Sequence, residues 1–419
     1  MPAVSAATHA LPLPVRALNG VGGLLARGGL ALPGLDEETL LARARRATGL
    51  DDFGDPWFRA PLRHLLASLE GEAALTTLGR IIARTDLLRL LENRLRIVDA
   101  HRRHPEIGAA PVTRPLFVVG LPRTGTSILH ELLGQDPANR VPMSWEVMHP
   151  WPPPERATYD SDARIAAVDK HLAGVDRLIP GFKSMHPMGA MLPQECVALM
   201  QLDFASMVWS TTHRVPTYQA WLNQADMRPL YASHRRQLQY FQWRCPTDRW
   251  VLKSPGHLWM LDALLAVYPD ACIVQTHRDP LAVVASLTSL VSLLRRLASD
   301  DIDPSEIGAE WTTLLAGGLE RNMATRDRLG LGPDQLFDMQ FRELLADEIT
   351  MVRRIYTHFG RELTPDAEAR MRRFLAENPR DKHGRHRYTL ADAGLDVATE
   401  RRRYARYQER FAIPSEPNV

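Results

Sequence analysis

The stretch that most constrains the fold begins at Pro115, where Pro-Leu-Phe-Val-Val-Gly forms a short apolar run closed by glycine. Leu-Pro-Arg-Thr-Gly-Thr-Ser follows, and Ser-Ile-Leu-His-Glu-Leu-Leu-Gly after it has helical spacing. The order is strand, loop, helix. The loop, Gly120-Leu-Pro-Arg-Thr-Gly125-Thr126-Ser127, fits G-x-x-x-x-G followed by two hydroxyl residues. In such a turn the backbone N–H groups and the next helix's N-terminus cradle an anion. A nucleoside-triphosphate loop would carry lysine where Thr126 stands. Here the cation is Arg123, three residues earlier, so the expectation is an anionic donor other than ATP or GTP.

The strand pattern returns in Trp-Val-Leu-Lys-Ser, in Ala-Cys-Ile-Val-Gln-Thr-His-Arg and, more weakly, in Gln-Leu-Phe-Asp-Met-Gln-Phe, each followed by a helical stretch. Pro280 suits the first turn of the helix after the second of these, where its missing N–H costs nothing. Short apolar strands alternating with helices predict an α/β fold: a P-loop-like parallel sheet in three layers, with helices on both faces. Before it, Asp36 can cap a helix reaching Arg45, and Leu62, Leu65, Leu66 and Leu69 recur at helical spacing. We therefore expect a helical N-terminal extension over 1–110. An α/β domain over 111–419 follows, with a helical insertion around 155–245 after the Pro-rich His149–Arg156 stretch.

Composition narrows the function. The formal net charge of +2 is too balanced for a protein that grips nucleic acid through a phosphate-neutralising face. Cys196, Cys245 and Cys272 are odd in number and lack ligand spacing, which argues against disulfides and structural zinc. The start lacks a signal-peptide pattern and no run approaches a membrane span, so a cytoplasmic protein without an integral membrane segment is expected. Lysine is scarce, four residues against 47 arginines. Each lysine position therefore merits attention, because the two cations differ in geometry and proton chemistry.

These motifs together resemble the sulfotransferases that use 3′-phosphoadenosine 5′-phosphosulfate (PAPS). Their phosphosulfate loop has the form P-[KR]-[ST]-G-T-[TS], which Pro122-Arg-Thr-Gly-Thr-Ser127 matches throughout. An arginine at a strand end with a serine eight residues later is the family's second element, and Arg278 and Ser286 match it. The segment from Trp250 to Pro280 is similar to the family's central stretch, and the resemblance runs roughly from Pro115 to Leu395. It implies that Arg123, Thr124, Gly125, Thr126 and Ser127 hold the 5′-phosphosulfate and that Arg278 and Ser286 hold the 3′-phosphate. Arg385, in the basic Lys382–Arg387 cluster, resembles the segment that closes over the nucleotide.

Sulfuryl transfer, like phosphoryl transfer, needs positioning and cations near the transferring group. The resemblance gives that work to Arg123 and Lys253, without a metal. A hydroxyl acceptor must lose a proton, so a base is expected. Glu146, 23 residues after Arg123, resembles the glutamate of the protein-tyrosine branch, and His257 resembles the histidine of the cytosolic branch, though it lies farther from its lysine. The acceptor is expected to be a small molecule. Trp145, Trp151, Trp209, Trp221 and Trp243 are candidates for an apolar acceptor wall. The N-terminal helices could cover that pocket or form a subunit contact in a homo-oligomer. Two other readings stay open: a P-loop kinase using ATP with Asp279 as its metal-holding acid, and a non-catalytic nucleotide-binding protein.

Overall fold

The computed structural model describes residues 12–29, 31–179, 182, 187–379 and 389–416. Five parallel strands form one sheet in the order β2-β3-β1-β4-β5, with β1 Leu116–Gly120, β2 Asn139–Arg140, β3 Arg249–Lys253, β4 Cys272–His277 and β5 Leu336–Gln340. β1 lies at the centre, and all five of its residues are buried. Its side chains alternate between two apolar layers, as the period of a strand requires. Leu116 and Val118 join Val251 and Val274 beneath the helices Thr126–Leu133 and Glu348–His358. Phe117 and Val119 join Leu252 and Ile273 on the opposite face, under the helical insertion. The three-layer α/β architecture read from the sequence is the one observed.

The N-terminal helices share that second layer's core. Leu40, Leu41, Leu62, Leu65, Leu87 and Leu91 belong to the same apolar cluster as Phe117. Burying each such leucine contributes on the order of 1.5–3 kcal/mol. Asp36 caps the helix Glu37–Thr48 through a 2.8 Å bond from the Thr39 N–H. A buried Arg94–Asp203 pair at 2.6 Å ties the long helix Thr77–Arg103 to the insertion. Among the described residues, no helix is long and apolar enough to cross a membrane. All three cysteines are free and buried.

In a parallel sheet, ligands sit beyond the carboxyl ends of the strands where the strand order reverses. Here the chain leaves β1 towards β2 and β3 on one side, then crosses to β4 and β5 on the other. The ends of β1, β3 and β4 are thereby neighbours. Gly120 is level with Thr276 across the β1–β4 pair, and Val118 is level with Lys253 across the β1–β3 pair.

Candidate functional site

The loop after β1 is built around positions few residues tolerate. Gly125 has φ +88°, and a Cβ there would lie 2.8 Å from a methyl of Leu344 and 3.0 Å from the Phe341 ring, so both conformation and space demand glycine. At Gly120 a Cβ would fall 2.0 Å from the Thr276 hydroxyl, which must approach because it meets the Thr124 hydroxyl at 2.5 Å. Thr124 also donates to the Leu121 carbonyl at 2.6 Å and is fully buried, so it locks the turn from inside. Arg123 is held at φ +66°, an uncommon conformation for a non-glycine residue, with its side chain exposed. Gly125 caps the helix Thr126–Leu133, where Thr126 is buried and Ser127 exposed.

Two cations reach this loop from the flanking strands. Lys253 ends β3; its ammonium donates to the Ser127 hydroxyl at 3.2 Å and to a Glu195 carboxylate oxygen at 2.5 Å. Its side chain is only 4% exposed. That buried charge acts on its surroundings. His130, one turn along the loop's helix, has its pKa pushed down to about 3, first by burial and then by Lys253. The ring stays neutral and bonds the Val251 carbonyl at 3.1 Å.

Arg278 follows β4 and donates to the carbonyl of Arg123 at 2.8 Å, so the second cation is fastened to the loop's own backbone. It also grips the Glu416 carboxylate with two bonds of 2.7 and 2.8 Å and lies over the Phe341 ring at 4.5 Å. This bidentate fork is the geometry with which arginine takes carboxylate or phosphate. Ser286 lies partly exposed in the helix Pro280–Arg295, whose first residue is the expected proline. Arg385 and the cluster around it lie outside the described residues.

The residues expected as bases are enclosed. Glu146 is 0% exposed. One of its oxygens accepts from Arg140 at 2.6 Å, and the other from the Met143 N–H and the Tyr159 hydroxyl, both at 3.0 Å. His257 is also 0% exposed; its Nδ1 pairs with the Tyr231 hydroxyl at 2.7 Å and its ring meets Phe117 edge-on. Burial, then neighbouring His234, holds its pKa well below the ordinary imidazole value. Neither residue presents an atom to an incoming acceptor in this arrangement.

Asp279, the acid needed by a kinase reading, is committed as well. It takes two bonds from Arg401 at 2.7 and 2.8 Å, caps the next helix through Leu281 and accepts the Glu416 N–H. The tryptophans do not converge on one wall. Trp145 and Trp209 are enclosed in the core, Trp151 is 54% exposed, Trp221 stacks on His64, and Trp243 meets His104 at a tilt. Glu195 is the site residue that sequence reasoning missed. It precedes the short helix Cys196–Met200 in a Pro-Gln-Glu-Cys segment that carries no motif, and its lysine partner is 58 residues away.

Fold and loop define a P-loop-like α/β protein with two cations drawn to one anion cradle. The Sulfotransferase family model matches residues 115–366. Sulfotransferase STF1 from Mycobacterium tuberculosis H37Rv is 36% identical, with a TM-score of 0.79 over 88% of this chain and 98% of that one. Sulfotransferase STF9 from Mycobacterium avium is 31% identical, with a TM-score of 0.84 over 92% of this chain and 99% of that one. The Mycobacterium bovis omega-hydroxy-beta-dihydromenaquinone-9 sulfotransferase Stf3 is 25% identical over 301 residues, 67% of this chain and 71% of that protein. The chain belongs to the sulfotransferase family.

Proposed function

We propose that the protein moves a sulfuryl group from PAPS to a hydroxyl or amine of a small molecule, in the cytoplasm. One observation carries the donor assignment: loop, Lys253 and Arg278 meet at the ends of three adjacent strands, with Arg278 bonded to the Arg123 carbonyl at 2.8 Å. In this reading the loop from Arg123 to Ser127 holds the 5′-phosphosulfate. Arg278 and Ser286 take the 3′-phosphate, Arg385 is a further cation proposed for it from the resemblance alone, and Lys253 stabilises the charge that develops on the bridging oxygen. Such preorganised cations act only as charge appears, and that differential binding is what accelerates the step. The missing loop lysine and the fully occupied Asp279 carboxylate both weigh against ATP chemistry.

The acceptor is the open half of the reaction. A relative named for an omega-hydroxy quinone makes hydroxylated lipophilic compounds the first class to try. Incubating the purified protein with PAPS and a mixed library of alcohols, phenols and amines, scored by mass spectrometry, should reveal a product heavier by one sulfuryl group. A folded protein that neither binds 3′-phosphoadenosine 5′-phosphate (PAP) nor modifies any library member refutes the proposal.

A further inference from the structure

Resting on the PAPS reading above, we infer that Glu195 is the general base that takes the acceptor's proton. Three observations converge on it. Its carboxylate touches Lys253 at 2.5 Å, and the same ammonium touches Ser127 of the phosphosulfate loop at 3.2 Å, so Glu195, Lys253 and Ser127 form one polar chain across the reacting end. Glu195 belongs to the helical layer, opposite the loop. Its backbone is fixed there, because the Gln194 N–H donates to the Pro142 carbonyl at 2.7 Å and the Gln194 side chain accepts the Glu195 N–H at 2.8 Å. An acceptor entering between the two layers would therefore meet the carboxylate on one side and the donor on the other. Finally, the Glu195 side chain keeps 15% of its surface open, whereas Glu146 keeps none.

The chemistry needs this residue type at this place. The acceptor O–S bond forms as the bond between sulfur and the 5′-phosphate's bridging oxygen breaks. That oxygen departs with the electron pair as part of PAP, and the acceptor's proton passes to a Glu195 oxygen and then to water. Lys253 serves both ends of the event. In the structure it neutralises Glu195, and as charge builds on the bridging oxygen its ammonium is drawn to the leaving side, which raises the carboxylate's affinity for the proton. The neighbouring histidine cannot substitute for it, because the buried His130 ring is bonded to the Val251 carbonyl and resists protonation.

The test compares Glu195→Gln and Glu195→Asp with wild type, following PAP release from PAPS in the presence of the acceptor library, alongside direct titration with PAP. General-base loss predicts a turnover roughly 10²- to 10⁴-fold lower in Glu195→Gln. PAP affinity should stay within about threefold of wild type, since no bond to the donor is removed. Glu195→Asp should recover part of the rate, and the loss should be greater for alcohols than for the more acidic phenols. A folded Glu195→Gln variant that keeps turnover within about threefold, or that loses turnover equally for alcohols and phenols, overturns the assignment. Wild type that binds PAP yet releases none from PAPS also overturns it while leaving the donor site standing. Wild type that fails to bind PAP instead refutes the donor reading beneath it.

Discussion

Arg140–Glu146 and Lys253–Glu195 are both short ion pairs beneath the same helical insertion, yet they are built for different ends. In the first, the carboxylate is 0% exposed and its oxygens are occupied by Arg140, Met143 and Tyr159, while the guanidinium lies over the Trp250 ring at 4.8 Å. All of these partners come from the chain around the pair, with Met143 and Tyr159 themselves half-buried. In the second, the ammonium is shared with Ser127 of the anion loop and the carboxylate is partly open. A pair whose carboxylate oxygens are both taken by buried and half-buried groups of its own chain serves the fold; in the proposed reaction, one that shares its cation with the anion loop serves the chemistry.

Substitutions can break that contrast. The largest effect is expected in Glu146→Ala, which leaves Arg140 buried without its counter-charge and should cost about 3–5 kcal/mol in denaturant unfolding. An effect below about 1 kcal/mol would mean that the pair is not the structural one. Lys253→Ala should lower kcat by roughly 10²- to 10³-fold, the usual cost of removing one preorganised charge stabiliser. PAP affinity should change much less, and equal losses in kcat and affinity would show that Lys253 acts in ground-state binding instead.

A pH-dependent effect, smaller per pH unit, tests the burial of His130 beside Lys253. His130 has a folded pKa of about 3 against 6.5 for the unconstrained ring, so the unfolded chain binds its proton first as the solution is acidified. Stability is fully present above about pH 6.5 and is lost progressively towards pH 3. Compared with His130→Gln, wild type should therefore lose about 1.4 kcal/mol for each pH unit below 6.5, measured by urea unfolding. Parallel curves for the two proteins would contradict the assigned shift.

The anion loop and its two cations are legible in the sequence because each part is a contiguous run of its own. β1, its loop, β3 and β4 each announce themselves as an apolar run followed by turn chemistry, and Lys253 and Arg278 stand at the ends of such runs. Other elements leave weaker traces. β2 is two residues long and carries no periodicity, and β5 is a half-exposed edge strand interrupted by Asp338. The helical insertion, which the proposed reaction makes the acceptor side, brings together residues that are far apart in sequence. Glu146 stands out by its resemblance to the glutamate of the protein-tyrosine branch, 23 residues after Arg123, but sequence separation does not say which way a side chain turns. Arg140, six residues before it, turns it inward. Glu195 carries no signal in the sequence for the converse reason: its lysine partner, 58 residues away, is brought to it only by the packing of the insertion on the sheet.

A PAPS seat formed by the loop and Arg278 can be probed by calorimetric titration of wild type and Arg278→Ala with PAP and, separately, with ATP and magnesium. PAP should bind wild type and be weakened roughly 10- to 150-fold in Arg278→Ala, the loss expected for one charge-assisted contact. Magnesium–ATP should not compete. Tight magnesium–ATP binding, or PAP affinity indifferent to Arg278, would contradict that seat.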